Sequence, residues 1–192
     1  MNDLILNVDA LEEAKEPFEA DLQREFLESV LRAPPATEFH ADGATRLSGA
    51  ATRLGRQVLV EAKFRVPLAG QCKRCLEPLH LEELVELLRS YVPEDQARAP
   101  AEKRGEDAEG SFEPDLADEE AYSGKEIDLA PAIREQILLQ IPSSPLCRDE
   151  CRGLCPSCGK DLNAGECGCD RTVMDPRWAA LKGIQLEKKK EK

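Results

Sequence analysis

Six cysteines crowd into 23 residues, as Cys147-x3-Cys151-x3-Cys155-x2-Cys158-x8-Cys167-x-Cys169. Around them, the 50 residues from Ser143 to Lys192 hold only nine large apolar side chains. A segment with so little apolar surface cannot offset the entropy of ordering itself and needs a staple. The start of the chain has neither a basic n-region nor an apolar run of signal-peptide length, and no window approaches the ~18 apolar residues of a membrane span. A cytoplasmic protein is therefore expected. In a reducing compartment disulfides rarely persist, so thiols at short spacings point to metal or redox chemistry.

Cys155-Pro156-Ser157-Cys158-Gly159 has the form of a zinc knuckle. Two thiolates at that spacing bind one ion from a tight turn, and the glycine supplies the positive φ such a turn needs. Cys167-Gly168-Cys169 adds a compact second pair. Four thiolates complete a tetrahedral structural site with no open position for substrate, so Cys155, Cys158, Cys167 and Cys169 are expected to hold zinc. Apparent binding energies of ~10–16 kcal/mol for structural zinc suffice to order a lobe this small. Free or disulfide-linked thiols leave the lobe without that staple.

Cys72, Cys75, Cys147 and Cys151 remain. One reading makes them a second tetrathiolate site that pins the two halves of the chain together, giving one or two structural ions in all. A second reading leaves Cys72 and Cys75 as reduced thiols. A third makes them a redox pair whose pKa Lys73 and Arg74 depress. No glycine-rich phosphate loop, H-E-x-x-H or G-x-S-x-G occurs, and His40 and His80, the only histidines, have no matched nucleophile nearby in sequence. No catalytic residue is expected, and no small-molecule substrate.

The fold class expected is α+β, an antiparallel sheet domain with a C-terminal helix and a zinc-knuckle lobe. Leu4, Leu6 and Val8 alternate as in a short strand. Phe18, Leu22, Phe26 and Val30 recur every four residues as the stripe of a helix that starts near Pro17 and ends at Pro34-Pro35. Val58 to Leu68 alternate with polar residues in the clearest strand, 57–68, preceded by a strand over 44–54 and a turn at Leu54-Gly55-Arg56. The stretch 79–92 fits helix and strand almost equally, and a strand continuing the meander is preferred. Asp128 is a good N-cap for a helix carrying Leu129, Ile133, Ile137 and Ile141 on one face. A further helix is expected from Asp175-Pro176, with Trp178 and Leu181 on one side.

Charge is unevenly spread. The chain is −12 net, and Glu94 to Glu126 alone holds 12 acidic and 4 basic residues. With Pro93 at its edge, Pro100 and Pro114 inside it and little apolar surface, this stretch reads as an acidic flexible linker, 93–122, between a β-rich domain with one helix, 1–92, and a helix plus cysteine lobe, 123–192, that packs back on the sheet. An acidic chain is no general nucleic-acid binder. The exception is Gly43 to Leu76, whose basic residues make Arg56, Lys63, Arg65, Lys73 and Arg74 the candidate RNA contacts. The linker would instead attract a basic protein partner.

Gln71-Cys72-Lys73-Arg74-Cys75-Leu76, then Glu126-Ile127-Asp128-Leu129, then Ile141-Pro142-Ser143-Ser144-Pro145-Leu146-Cys147 follow one another in the order seen in the bacterial YceD family. Cys151-Arg152-Gly153-Leu154-Cys155-Pro156-Ser157-Cys158-Gly159-Lys160-Asp161-Leu162-Asn163 and Asp175-Pro176-Arg177 extend the resemblance over roughly the C-terminal two-thirds of the chain. The resemblance implies a ribosome biogenesis role in accumulation or maturation of large-subunit ribosomal RNA, with precursor RNA or a large-subunit ribosomal protein as partner. A cytosolic thiol redox protein using Cys72 and Cys75, or a plain protein-binding adaptor, are the alternatives.

Overall fold

The alternation read over 57–68 becomes β5 (Gln57–Gln71), the strand around which the fold is built in a computed structural model that describes residues 4–34, 36–97, 119–170 and Arg177. Val58, Val60, Ala62, Phe64, Val66 and Leu68 are all buried on one face, while Lys63 and Arg65 stand exposed on the other. On one side β5 pairs antiparallel with β4 (Thr45–Leu54) and briefly with β3 (His40–Ala41). The β4–β5 connection turns at Gly55, whose φ of 65° suits the first central position of a two-residue hairpin.

On the other side of β5 lies β6 (Pro78–Pro93), so the strand preferred for 79–92 is present. The helical alternative arose because the inward face of β6 is interrupted by Glu83 and Arg89. Arg89 is only 8 % exposed. Its guanidinium donates to Glu135 at 2.9 Å and approaches Glu120 at 3.6 Å, which compensates the charge brought into the core face.

The helix expected from Phe18 to Val30 is half right. Residues Lys15–Leu22 form β2, antiparallel to β4, and only Arg24–Arg32 are helical, as α1. An interval of four satisfies both a helix and a strand, since four is a multiple of the strand period. The deciding pattern is the exposed Lys15, Pro17, Glu19 and Asp21 against the inward Phe18, Ala20 and Leu22. Pro17 is tolerated because β2 is the sheet edge.

The segment after the acidic stretch returns to the same body. Glu119–Tyr122, inside the expected linker, forms β7 and pairs parallel with β6, so the expected all-antiparallel sheet has one parallel edge. β8 (Glu126–Asp128) pairs with β1 (Ile5–Asn7), and Leu129 donates to the Leu4 carbonyl at 2.9 Å. Helix α2 (Ala130–Gln140) starts one residue later than expected, with the Asp128 carboxylate accepting the Ala130 N–H at 2.9 Å. Leu129, Ile133 and Ile137 are buried with Leu27, Val30 and Leu31 of α1 against the inner sheet face. The remainder of the expected linker, 98–118, and the helix expected from Asp175 lie outside the described residues, Arg177 excepted.

One ionic clasp fastens α1 to β3. The Glu28 carboxylate accepts the Ala41 N–H at 2.8 Å, sits 3.0 Å from His40 Nδ1 and accepts from Arg32 at 2.7 Å. The Ala41 N–H first, then His40 and Arg32, hold its pKa down from the ordinary 4.5 to about 2. A carboxylate depressed in the folded state stabilises the fold above its unfolded pKa, and that stability is lost as pH falls from about 4.5 toward 2. Glu28→Gln is expected to cost about 1–2 kcal/mol at neutral pH and to flatten the acid limb of stability, read from urea unfolding between pH 2 and 7.

Candidate metal centres

Strands β5 and β6 are joined by a knuckle. Cys72 donates its N–H to the Glu77 carbonyl at 2.9 Å, Leu76 donates to the Cys72 carbonyl at 3.0 Å, and the Arg74 N–H points at Cys72 Sγ, 3.4 Å away. The same turn recurs at the second C-x-x-C. Cys155 donates to Lys160 at 2.9 Å and Gly159 to Cys155 at 2.8 Å, framed by a Leu154–Asp161 bridge. The two knuckles superpose in sequence as 72–77 on 155–160. Gly159 has the positive φ expected of it, 73°, and Leu76 occupies the equivalent position at 63°.

A leucine held in that left-handed region costs ~1–2 kcal/mol. Leu76 is 56 % exposed, so packing offsets little of the cost. Leu76→Gly is expected to stabilise the protein by about 1 kcal/mol, seen as a higher urea midpoint at unchanged slope.

The lobe that carries the second knuckle docks on the first. Lys73 donates its N–H to the Pro145 carbonyl at 2.9 Å and Leu154 donates to the Arg74 carbonyl at 3.0 Å. The Arg74 guanidinium reaches the Cys151 carbonyl at 2.9 Å, and Asn163 Nδ2 points at Cys151 Sγ from 3.5 Å. This docking brings Cys147 and Cys151 to Cys72 and Cys75, with all four sulfurs within 4.8 Å of one another. Cys72 and Cys151 sulfurs are 3.8 Å apart, and Cys75 and Cys147 sulfurs 3.6 Å. An ion ~2.3 Å from each of four sulfurs sets tetrahedral edges of ~3.8 Å, whereas a disulfide requires ~2.05 Å. The geometry fits a metal ion and none of these cysteines is disulfide-bonded.

The second group is Cys155, Cys158, Cys167 and Cys169, with sulfurs likewise within 4.8 Å of each other. Gly168, at φ 72°, lets the last pair turn toward one point. The groups differ in exposure. Cys72, Cys75 and Cys151 are buried, whereas Cys158 is exposed and Cys167 and Cys169 half-buried.

Electrostatics favours a cation in both. Burial opposes ionisation of Cys72, yet N–H groups of Cys75, Cys147 and Arg74 bring its thiol down to about 6. Cys155 is brought to about 6 by the N–H groups of Cys158 and Ser157. In the same clusters, Cys75 is pushed to about 12 although the Glu77 N–H favours its thiolate, because burial and the neighbouring thiols prevail. Cys169 is pushed to about 12 by Cys158 and Cys167. Four adjacent sulfurs cannot all ionise unaided, and a divalent ion at their centre removes the conflict.

The candidate RNA contacts do not form a free basic surface. Arg56 makes a bidentate pair with Asp95 at 2.8 Å, Lys63 pairs with Glu86 and Lys73 with Glu38. Arg74 is spent on lobe carbonyls. Arg65 and Arg74 are both exposed without an ion-pair partner among the described residues, Arg74 being held by the carbonyls of Asp149 and Cys151. Neither histidine approaches a sulfur group, His40 lying on Glu28 and His80 on Asp42. Residues that sequence reasoning missed are Gly153 and Asn163, both in the docking seam. Gly153 has φ 71°, and a Cβ there would lie 2.9 Å from the Arg74 carbonyl oxygen. Its place between Cys151 and Cys155 was the available signal.

An α+β sheet whose longest hairpin ends in one of two four-cysteine groups defines a cysteine-knuckle scaffold, and in each group the four sulfurs can fill a tetrahedral ion's coordination. The chain belongs to the YceD family, described as large ribosomal RNA subunit accumulation protein YceD, whose family model matches residues 60–185. It is similar to an uncharacterized protein of Mycobacterium tuberculosis, 38 % identical over 124 residues, which is 65 % of this chain and 54 % of the relative. A Mycobacterium leprae protein is 31 % identical over 129 residues, 67 % of this chain and 53 % of the relative. The Arabidopsis thaliana protein called large ribosomal RNA subunit accumulation protein YCED homolog 1, chloroplastic, is 34 % identical over 61 residues, 32 % of this chain and 19 % of that protein. The chain spans about half the length of the mycobacterial relatives it matches. No solved structure matches it. Among the described residues no helix is long and apolar enough to cross a membrane.

Proposed function

We propose that the protein is a non-enzymatic, cytoplasmic assembly factor that promotes accumulation of large-subunit ribosomal RNA, with a structural zinc ion in each cysteine group. The observation that carries this reading is the use of all eight cysteines in two four-sulfur sets. Closed tetrathiolate coordination leaves no site for water or substrate and no thiol for redox exchange. The family description supports the ribosomal setting. The redox alternative is disfavoured because Cys72 and Cys75 face Cys151 and Cys147 and lie buried.

Between the two partner classes, the charges favour a basic large-subunit ribosomal protein over naked RNA. Each loaded centre, a divalent ion with four thiolates, carries two excess negative charges and deepens the −12 of the polypeptide. Depleting the protein from cells is expected to lower large-subunit relative to small-subunit ribosomal RNA, restored by the wild-type chain. An unchanged ratio overturns the reading. Elemental analysis of reduced protein is expected to find two zinc ions per chain.

A further inference from the structure

Between α1 and α2 runs an open groove of about 1060 Å³. Its floor is apolar, where Phe26, Ala130 and Leu138 pack on the core with one side and, among the described residues, leave the other uncovered. Its rim carries Asp21, Glu25, Asp128 and Glu135 against the single Arg134. Arg134 lies over the Phe26 ring, 5.9 Å from its centre, and the four carboxylates outnumber it among the residues lining the groove. Asp21 and Glu135 share their charge with Arg46 and Arg89 at 2.9 Å. Glu25 has no ion-pair partner among the described residues, and Asp128 engages only a backbone N–H.

The volume lies at the upper end of the ~300–1,000 Å³ of small-molecule pockets, and an apolar floor between two helices suits a third helix laid into it. Carboxylates along the rim select a cationic polar face and repel phosphate. A second copy of this chain, itself strongly acidic, would meet like charge.

We propose that the α1–α2 groove docks a basic amphipathic helix of a partner protein. Lys and Arg on its polar face meet Glu25 and Asp128, and its apolar side covers Phe26 and Leu138. The identity of the partner as a ribosomal protein rests on the reading above, while the docking chemistry does not.

The test uses the full zinc-loaded chain and a fluorescent amphipathic helix of leucine and lysine, with a leucine–glutamate counterpart. The lysine peptide is expected to bind and to weaken with salt. The double variant Glu25→Lys, Ser29→Arg, which changes two exposed positions lining the groove, is expected to weaken it at least about tenfold. Thermal unfolding checks that the variant folds, and Ser29→Arg alone serves if it does not. The proposal is overturned by equal binding of the glutamate peptide, by an unchanged affinity in the variant, or by no binding to the wild-type chain. Displacement of the probe by a single-stranded RNA or by a peptide of residues 171–192 overturns it as well, assigning the groove to RNA or to this chain itself. Its failure leaves the ribosomal RNA ratio on depletion untouched, so the two readings fall separately.

Discussion

Cys72→Ser is expected to strip one of two zinc ions from the chain and to release the cysteine lobe from the β5–β6 hairpin. Cys72 is fully buried, 3.8 Å from Cys151 across the site. Among the described residues no further cysteine or histidine joins the group, and a hydroxyl is a poor substitute for a thiolate on zinc. Structural zinc contributes ~10–16 kcal/mol of apparent binding energy in small domains, so the loss here is on the order of 5 kcal/mol or more. The sheet core, built from β2 to β6 with α1 and α2, shares no cysteine and should persist. Elemental analysis should fall from two ions to one, and limited proteolysis should open the chain between Ser143 and Asp170. Cys158→Ser is the control, since it empties the exposed site while the lobe stays anchored. Retention of both ions by Cys72→Ser, or an unaltered digestion pattern, would sink the assignment.

Gly153→Val is expected to cost about 3 kcal/mol or more without touching a ligand. Its φ of 71° disfavours any side chain, and the new Cβ would meet the Arg74 carbonyl oxygen at 2.9 Å and Arg74 Cβ at 3.2 Å. That contact lies in the seam where Leu154 donates to Arg74, so the lobe must move away from the first knuckle. Gly159→Val makes the comparison clean. Its φ is 73°, yet nothing lies within 4 Å of the added atom, so only the conformational cost of ~1–2 kcal/mol applies. Urea midpoints and rates of zinc loss to a chelator should separate the two variants. Equal effects would place the seam elsewhere.

The elements that could be read without the structure are those whose signal is local. β5 shows a two-residue alternation long enough to exclude a helix, and each C-x-x-C dictates its own knuckle. The four-residue spacing of Phe18, Leu22, Phe26 and Val30 is where local reading fails. The chain changes from strand to helix at Gln23 without breaking that interval. The basic residues in and beside β5 show a different limit of local reading. A count of charge along the chain cannot include Glu86, Glu38 and Asp95, which reach Lys63, Lys73 and Arg56 only when β6 and the loops fold alongside.

From the order of its residues alone, this chain is committed to a sheet with a sulfur-rich lobe, because alternation and short cysteine spacings act over a few bonds. Which thiols come together is a different matter. Cys72 and Cys151 are 79 positions apart, and their meeting depends on β6, β7, β8 and α2 returning the chain to the tip of the hairpin. The backbone bonds from Lys73 to Pro145 and from Leu154 to Arg74 then fix the register of the two halves. Such long-range closure is set by packing of the whole core, and no local pattern encodes it.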